Sequence, residues 1–176
     1  MNRLLVGLLG LLLTGTAYAQ NDPEFPKGWV MYFEAQQGLR TTFDPRPDLF
    51  ATSASLCPQI TVVPAHFRIG GSAGLAFTDK QFSGMFGPRA SLKLKTIRLK
   101  NLGSLFNLQL ELEHLWGTRK ERLFGGDLKL EIIQLLSLKL SAHRDHALGN
   151  WWFMAGAGIN LFHKKRKSPT GDDPFD

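Results

Sequence analysis

The residues best equipped for chemistry are His143, Arg144, Asp145 and His146, a run in which an imidazole stands beside a carboxylate. A histidine oriented by a carboxylate can act as a general base. An enzyme also needs a positioned nucleophile or a second acid, and neither a serine nor an acidic pair of recognisable spacing accompanies the run. Solvated loop residues are the competing reading. His66 and His114 stand alone, with no second ligand at metal spacing, so neither a metal nor a cofactor is expected. Gly70-Gly71 and Gly156-x-Gly158 lie inside alternating segments and lead into no helix, which argues against a phosphate loop and for relief of crowding on a curved sheet. Cys57 is the single cysteine, so no internal disulfide is possible, and a small buried or lipid-facing side chain is its expected role.

The elements around these residues follow a period of two. Trp29, Met31, Phe33, Ala35, Gln37 and Leu39 alternate with polar or small neighbours. The same pattern recurs over 67–77, 86–96, 106–116, 124–132, 136–142 and 151–161. The apolar faces carry no formal charge. Their opposite faces carry Glu34, Arg68, Arg89, Lys93, Lys95, Glu111, Glu113, Asp127, Lys129, Glu131 and Lys139. A helix would scatter those charges around its cylinder. Residues 49–57 form a weaker strand, Pro58-Gln59 reads as a turn, and Pro64 makes 60–65 irregular. Short polar connectors at 40–48, 78–83, 98–104, 118–122 and 146–150 make antiparallel hairpins. The expectation is about eight strands in an all-β fold.

With 176 residues the chain has the size of one domain, and its 20% charge excludes a disordered polyelectrolyte. Residues 1–19 combine Arg3, the apolar run Leu4 to Leu13 and Ala17-Tyr18-Ala19, which reads as a cleaved signal peptide. The apolar run is about half of the roughly 20 residues that a spanning helix requires. Residues 20–162 form the β domain, and 163–176 a tail with basic then acidic residues.

Alternation alone also suits a soluble sandwich or barrel. Length favours the membrane, because segments of eleven residues exceed the five or six usual in soluble strands. Aromatics bracket them: Phe67 with Phe77, Phe106 with Trp116, and Trp29, Phe86, Phe124 and Trp151 at strand starts. Ten residues at ~3.3 Å each, tilted by about 40°, climb roughly 25 Å, the height between the aromatic girdles of a membrane barrel. From Trp29 to Phe162 the pattern resembles the small eight-stranded outer-membrane β-barrels of Gram-negative bacteria. That resemblance implies an antiparallel up-and-down transmembrane barrel, delivery by the barrel-assembly machinery, and Phe162 as the aromatic residue which that machinery reads.

Eight strands leave a lumen just wide enough for side chains. The inward charges are therefore expected to pair, with Lys93 and Lys95 beside Glu111 and Glu113, and these in turn beside Lys129. Trp152, Met154 and Phe162 would supply a small plug. Arg119, Lys120 and Arg122 would face lipopolysaccharide phosphates at the outer rim, and Arg98, Lys100 and 164–167 the anionic phospholipid headgroups of the inner leaflet. The net charge of +6 arises mainly at rims and tail, and nucleic acid is not an expected partner of an exported barrel. The reading is a structural or interaction protein without enzyme activity. An outer-membrane hydrolase and a soluble carrier with an apolar interior are its alternatives.

Overall fold

The computed structural model describes residues 28–44, 48–99, 103–132 and 135–161. Eight strands, β1 (Trp29–Thr41), β2 (Leu49–Val63), β3 (Phe67–Thr78), β4 (Gln81–Leu99), β5 (Gly103–Gly117), β6 (Arg122–Ile132), β7 (Leu136–Asp145) and β8 (Asn150–Asn160), pair antiparallel in sequence order. Pairing of β8 with β1 closes the barrel. Residues 1–19, read above as a signal peptide, lie outside the described residues, as do Lys100, Phe162, residues 163–176 and the Arg98 side chain.

The register fixes the geometry. Followed across hydrogen-bonded neighbours from Trp29 through Ile60, Ile69, Ala90, Leu112, Gly126, Ala142 and Phe153, the ladder returns to β1 at Leu39, ten residues further on. A stagger of ten over eight strands, with ~3.3 Å per residue and ~4.8 Å between strands, tilts each strand by about 41°. Successive side chains then point alternately out and into the lumen.

Two expectations about strand limits are corrected. Pro58-Gln59 is not a turn: β2 runs through it, with Pro58 facing Met31 and Gln59 facing Val30. The ladder between β2 and β3 skips Cys57 and Pro58, so the proline sits where a backbone N–H is not required. Pro88 uses the same device, in the gap that the β4–β5 ladder leaves between Phe86 and Arg89. Phe86 does not start its strand either. Asp79 and Lys80, with φ of 52° and 58°, form a two-residue turn of the mirror-image type whose twist suits a hairpin, so β4 begins at Gln81.

At its other end β4 runs past β3, whose last ladder partner is Leu92. From Lys93 to Leu99 its ladder partners lie on β5 alone, and this β4–β5 hairpin overhangs the rim that carries the chain ends. A bulge between Lys93 and Lys95 inverts the alternation within it.

A charged lumen under an apolar plug

The inward residues fall into three layers. Nearest the terminal rim, the Tyr32 hydroxyl donates to Glu131, and Arg68 Nη1 donates to the Tyr32 hydroxyl at 3.1 Å. Asn107 and Gln109 donate to the second Glu131 oxygen at 3.3 and 2.9 Å. Lys129 lies with its ammonium 3.5 Å from the centre of the Tyr32 ring.

The middle layer is ionic. Arg89 meets Glu34 at 2.9 Å, Glu111 at 3.4 Å, and Glu113. Lys129 bonds Glu34 at 2.7 Å and Glu111 at 3.4 Å. Lys139 touches Asp127 at 2.8 Å, Glu34 at 3.1 Å, Glu113 at 3.2 Å and Glu111 at 3.6 Å. None of these seven residues is more than 3% exposed. Burial of this kind is tolerable only when each charge has a partner. Glycines on the same face make room. A Cβ at Gly158 would lie 3.0 Å from Glu34 Cγ, and one at Gly156 would lie 2.5 Å from Gln36 Cγ.

Above this layer, toward the opposite rim, Trp152, Met154, Leu123, Met85, Ala51 and Ala76 pack together as an apolar plug. A cavity of about 30 Å³, room for a water molecule, separates plug from charges. Cys57 faces the lumen and not the outer surface, with its thiol 3.6 Å from Glu34.

Nine of the eleven residues singled out as inward charges thus line the lumen, buried: Glu34, Arg68, Arg89, Glu111, Glu113, Asp127, Lys129, Glu131 and Lys139. Lys93 is half-buried at the overhang. Lys95 is a correction. The bulge turns it to the exposed outer face opposite Leu108, and sends Thr96, placed on the apolar face by strict alternation, inward to donate to Asn107 at 2.9 Å. The partners of Glu113 and Glu111 across the β4–β5 ladder are accordingly Arg89 and Ser91 rather than Lys93 and Lys95, and Ser91 donates to Glu111 at 3.0 Å.

The run at 143–146 is dispersed by the same alternation. His143 and Asp145 are buried, while Arg144 points out over the Trp151 ring at 5.5 Å and His146 is exposed. Asp145 caps the β7–β8 turn, accepting from the N–H groups of Ala147, Leu148 and Arg122 at 3.0, 3.1 and 3.2 Å. A carboxylate the sequence reading passed over, Glu121, is buried at the β5–β6 turn and accepts from Ser83 and from the Arg119 N–H. His143 instead meets Glu113 and Asp127, its Nε2 3.6 Å from each.

Outside, the aromatics form two unequal belts. Trp29, Phe67 and Phe106 lie near the terminal rim; Phe43, Phe50, Phe77, Phe82, Phe86, Trp116, Phe124, Trp151 and Phe153 lie toward the opposite rim. Trp29 is 68% exposed and Phe86 56%. His114 stacks among Trp116 and Phe124 on this outer surface, with centroids 4.6 and 6.2 Å away. Arg122 and Arg144 flank the upper belt, exposed, and Lys120 sits at the β5–β6 turn with Arg119 half-buried beside it. Between the belts the described outer surface holds no charged side chain apart from Lys95 on the β4–β5 overhang.

No family model matches the chain, and no curated protein matches its sequence. Among solved structures, one described as "De novo design of transmembrane beta-barrels" is similar with a TM-score of 0.49 and 8% identity, over 81% of this chain and 99% of that one. Another, "Solution NMR structure of de novo designed TMB2.3", is similar with a TM-score of 0.48 and 10% identity, over 81% of this chain and 98% of that one.

Proposed function

We propose that the chain is an integral outer-membrane β-barrel of a Gram-negative bacterium, exported by residues 1–19, which serves a structural or interaction role and catalyses no reaction. The carrying observation is the inversion of polarity. Ionic side chains fill the interior, while the wall between the aromatic belts presents large apolar side chains such as Leu138 and Leu140, 52% and 62% exposed. In water such a surface is an aggregation hazard; in hydrocarbon it is the required one. The distance from Trp29 to Leu39 along the tilted strand gives a wall about 25 Å high, the hydrophobic height of such barrels. A soluble carrier would place apolar residues inside, around its ligand.

The filled lumen favours a closed barrel over a pore. The opposite facing of His143 and His146 counts against a hydrolase built on His143, Asp145 and His146. Arg119, Lys120, Arg122 and Arg144 suit lipopolysaccharide phosphates beside the richer aromatic belt, and Lys93 and Lys95 on the overhang suit phospholipid headgroups at the other rim. The barrel-assembly machinery is the partner in biogenesis, and nucleic acid is not a partner.

Membrane fractionation combined with gel mobility before and after heating tests the reading. Recovery with outer membranes and a heat-dependent mobility shift are expected. Recovery as a soluble periplasmic protein without a shift would overturn it.

A further inference from the structure

His143 is 1% exposed, and neither of its ring nitrogens has a hydrogen-bond partner. A buried polar ring left unpaired is costly, so its surroundings point to what it is for. Its Nε2 stands 3.6 Å from Glu113 Oε2 and 3.6 Å from Asp127 Oδ1, and the three atoms lie within 4.8 Å of one another. Those separations are too long for hydrogen bonds. They match the edge of a tetrahedron around a zinc-sized ion, about 3.3–3.6 Å when the bonds to nitrogen and oxygen are about 2.0–2.2 Å.

The remaining oxygens of both carboxylates are the ones engaged by protein cations. Lys139 approaches Glu113 through Oε1 and Asp127 through Oδ2, and Arg89 also takes Glu113 Oε1. Oε2 and Oδ1 are left facing the imidazole. The other carboxylate group of the lumen, Glu34 with Glu111 and Glu113, is by contrast already occupied by Arg89, Lys129 and Lys139.

The sequence makes space for the imidazole. Gly125 stands between Glu113 on β5 and His143 on β7 in one row across the sheet. A Cβ there would come within 2.7 Å of His143 Cδ2 and 2.2 Å of the Ala142 carbonyl oxygen. The cavity of about 30 Å³ is lined by both Glu113 and His143, which gives a metal-bound water a place. Charge agrees. Four carboxylates, Glu34, Glu111, Glu113 and Asp127, face three cations, Arg89, Lys129 and Lys139, leaving one negative charge in excess. A divalent ion carrying hydroxide cancels it.

We propose that Glu113 Oε2, Asp127 Oδ1 and His143 Nε2 form a tetrahedral transition-metal site of zinc type inside the barrel, with a hydroxide derived from water as the fourth ligand. The site goes beyond the membrane reading and does not depend on it. Because the plug covers it, the ion enters during folding. The test is to refold the full chain from denaturant into detergent micelles with zinc chloride, wash with chelator, and measure zinc per chain. Folding of every variant is checked by heat-dependent mobility.

One zinc per wild-type chain is expected. At least a tenfold reduction is expected for His143→Ala and Asp127→Asn, and no change for His66→Ala or His146→Ala. Cobalt(II) in place of zinc should give the intense visible absorption of four-coordinate geometry. Absence of zinc from the wild type, equal zinc in folded His143→Ala, or a pale six-coordinate cobalt spectrum would each overturn the assignment.

Discussion

Replacing Lys139 with methionine keeps the length of the side chain and deletes one charge from the centre of the lumen. Its ammonium lies within 4 Å of Asp127, Glu34, Glu113 and Glu111, the nearest at 2.8 Å. At an effective dielectric of about 20, one such pair is worth about 6 kcal/mol before desolvation is subtracted. Breaking a buried ion pair from one side costs about 3–5 kcal/mol, because the partner stays buried and uncompensated. Here four carboxylates would remain against Arg89 and Lys129, so Lys139→Met should fall at the upper end, about 5 kcal/mol. With a urea slope of about 2 kcal/mol per M, the unfolding midpoint moves down by about 2.5 M. Urea titration in lipid vesicles, followed by tryptophan fluorescence, reads that shift. Lys95→Met is the control and should change stability by less than about 0.5 kcal/mol, since its side chain stands on the exposed face. Equal effects for the two lysines would refute the ionic account of the lumen. In the double variant Lys139→Met with Asp127→Asn, the carboxylate left most exposed by the first change is neutralised, and part of the loss should return.

Leu140→Arg puts a charge on the wall, and in a bilayer it should cost about 2–4 kcal/mol, whereas on a water-facing surface it would cost almost nothing; vesicle unfolding against the wild type decides. Planar-bilayer recordings should show no large stable pores, and Lys139→Met should raise the frequency of brief openings. Neutralising Arg119, Lys120 and Arg122 together to glutamine should weaken retention in lipopolysaccharide vesicles, most visibly at low salt, because exposed charges are screened within about 10 Å at 0.1 M. Gly125→Ala should displace the His143 ring, and a histidine NMR signal that stays unmoved would contradict the close approach.

Alternation made most of the architecture legible, because period two is imposed independently in each strand and survives without knowledge of its neighbours. It failed where one strand's geometry depends on another. The bulge beside Lys93 arises from how β4 fits β5, and it exchanged the faces of Lys95 and Thr96. Pro58 looked like a turn because its tolerance depends on a gap in the ladder to β3, which one strand alone cannot reveal. The meeting of Glu113, Asp127 and His143 required the registers of β5, β6 and β7 together. A faint signal was present in Gly125, an inward glycine two residues before the inward carboxylate Asp127. The roles of Asp145 and Glu121 were hidden for another reason: Asp145 accepts from backbone N–H groups, which every residue but proline carries, and Glu121 from one such group and from Ser83 on another strand.

The seam between β1 and β8 carries a consequence for assembly. Glu34 lies on β1, while the lysines it bonds, Lys129 and Lys139, lie on β6 and β7, 95 and 105 residues away. A sheet of β2 to β8 not yet joined to β1 would hold Arg89, Lys129 and Lys139 with Glu111 but without Glu34, the other acid that contacts all three and the nearest partner of Lys129. Partly built sheets thereby leave Lys129 without its 2.7 Å contact to Glu34, and the last pairing supplies that contact, with those to Arg89 and Lys139, in one event. Closure should accordingly be all-or-none, with the first strand of the chain acting as its latch.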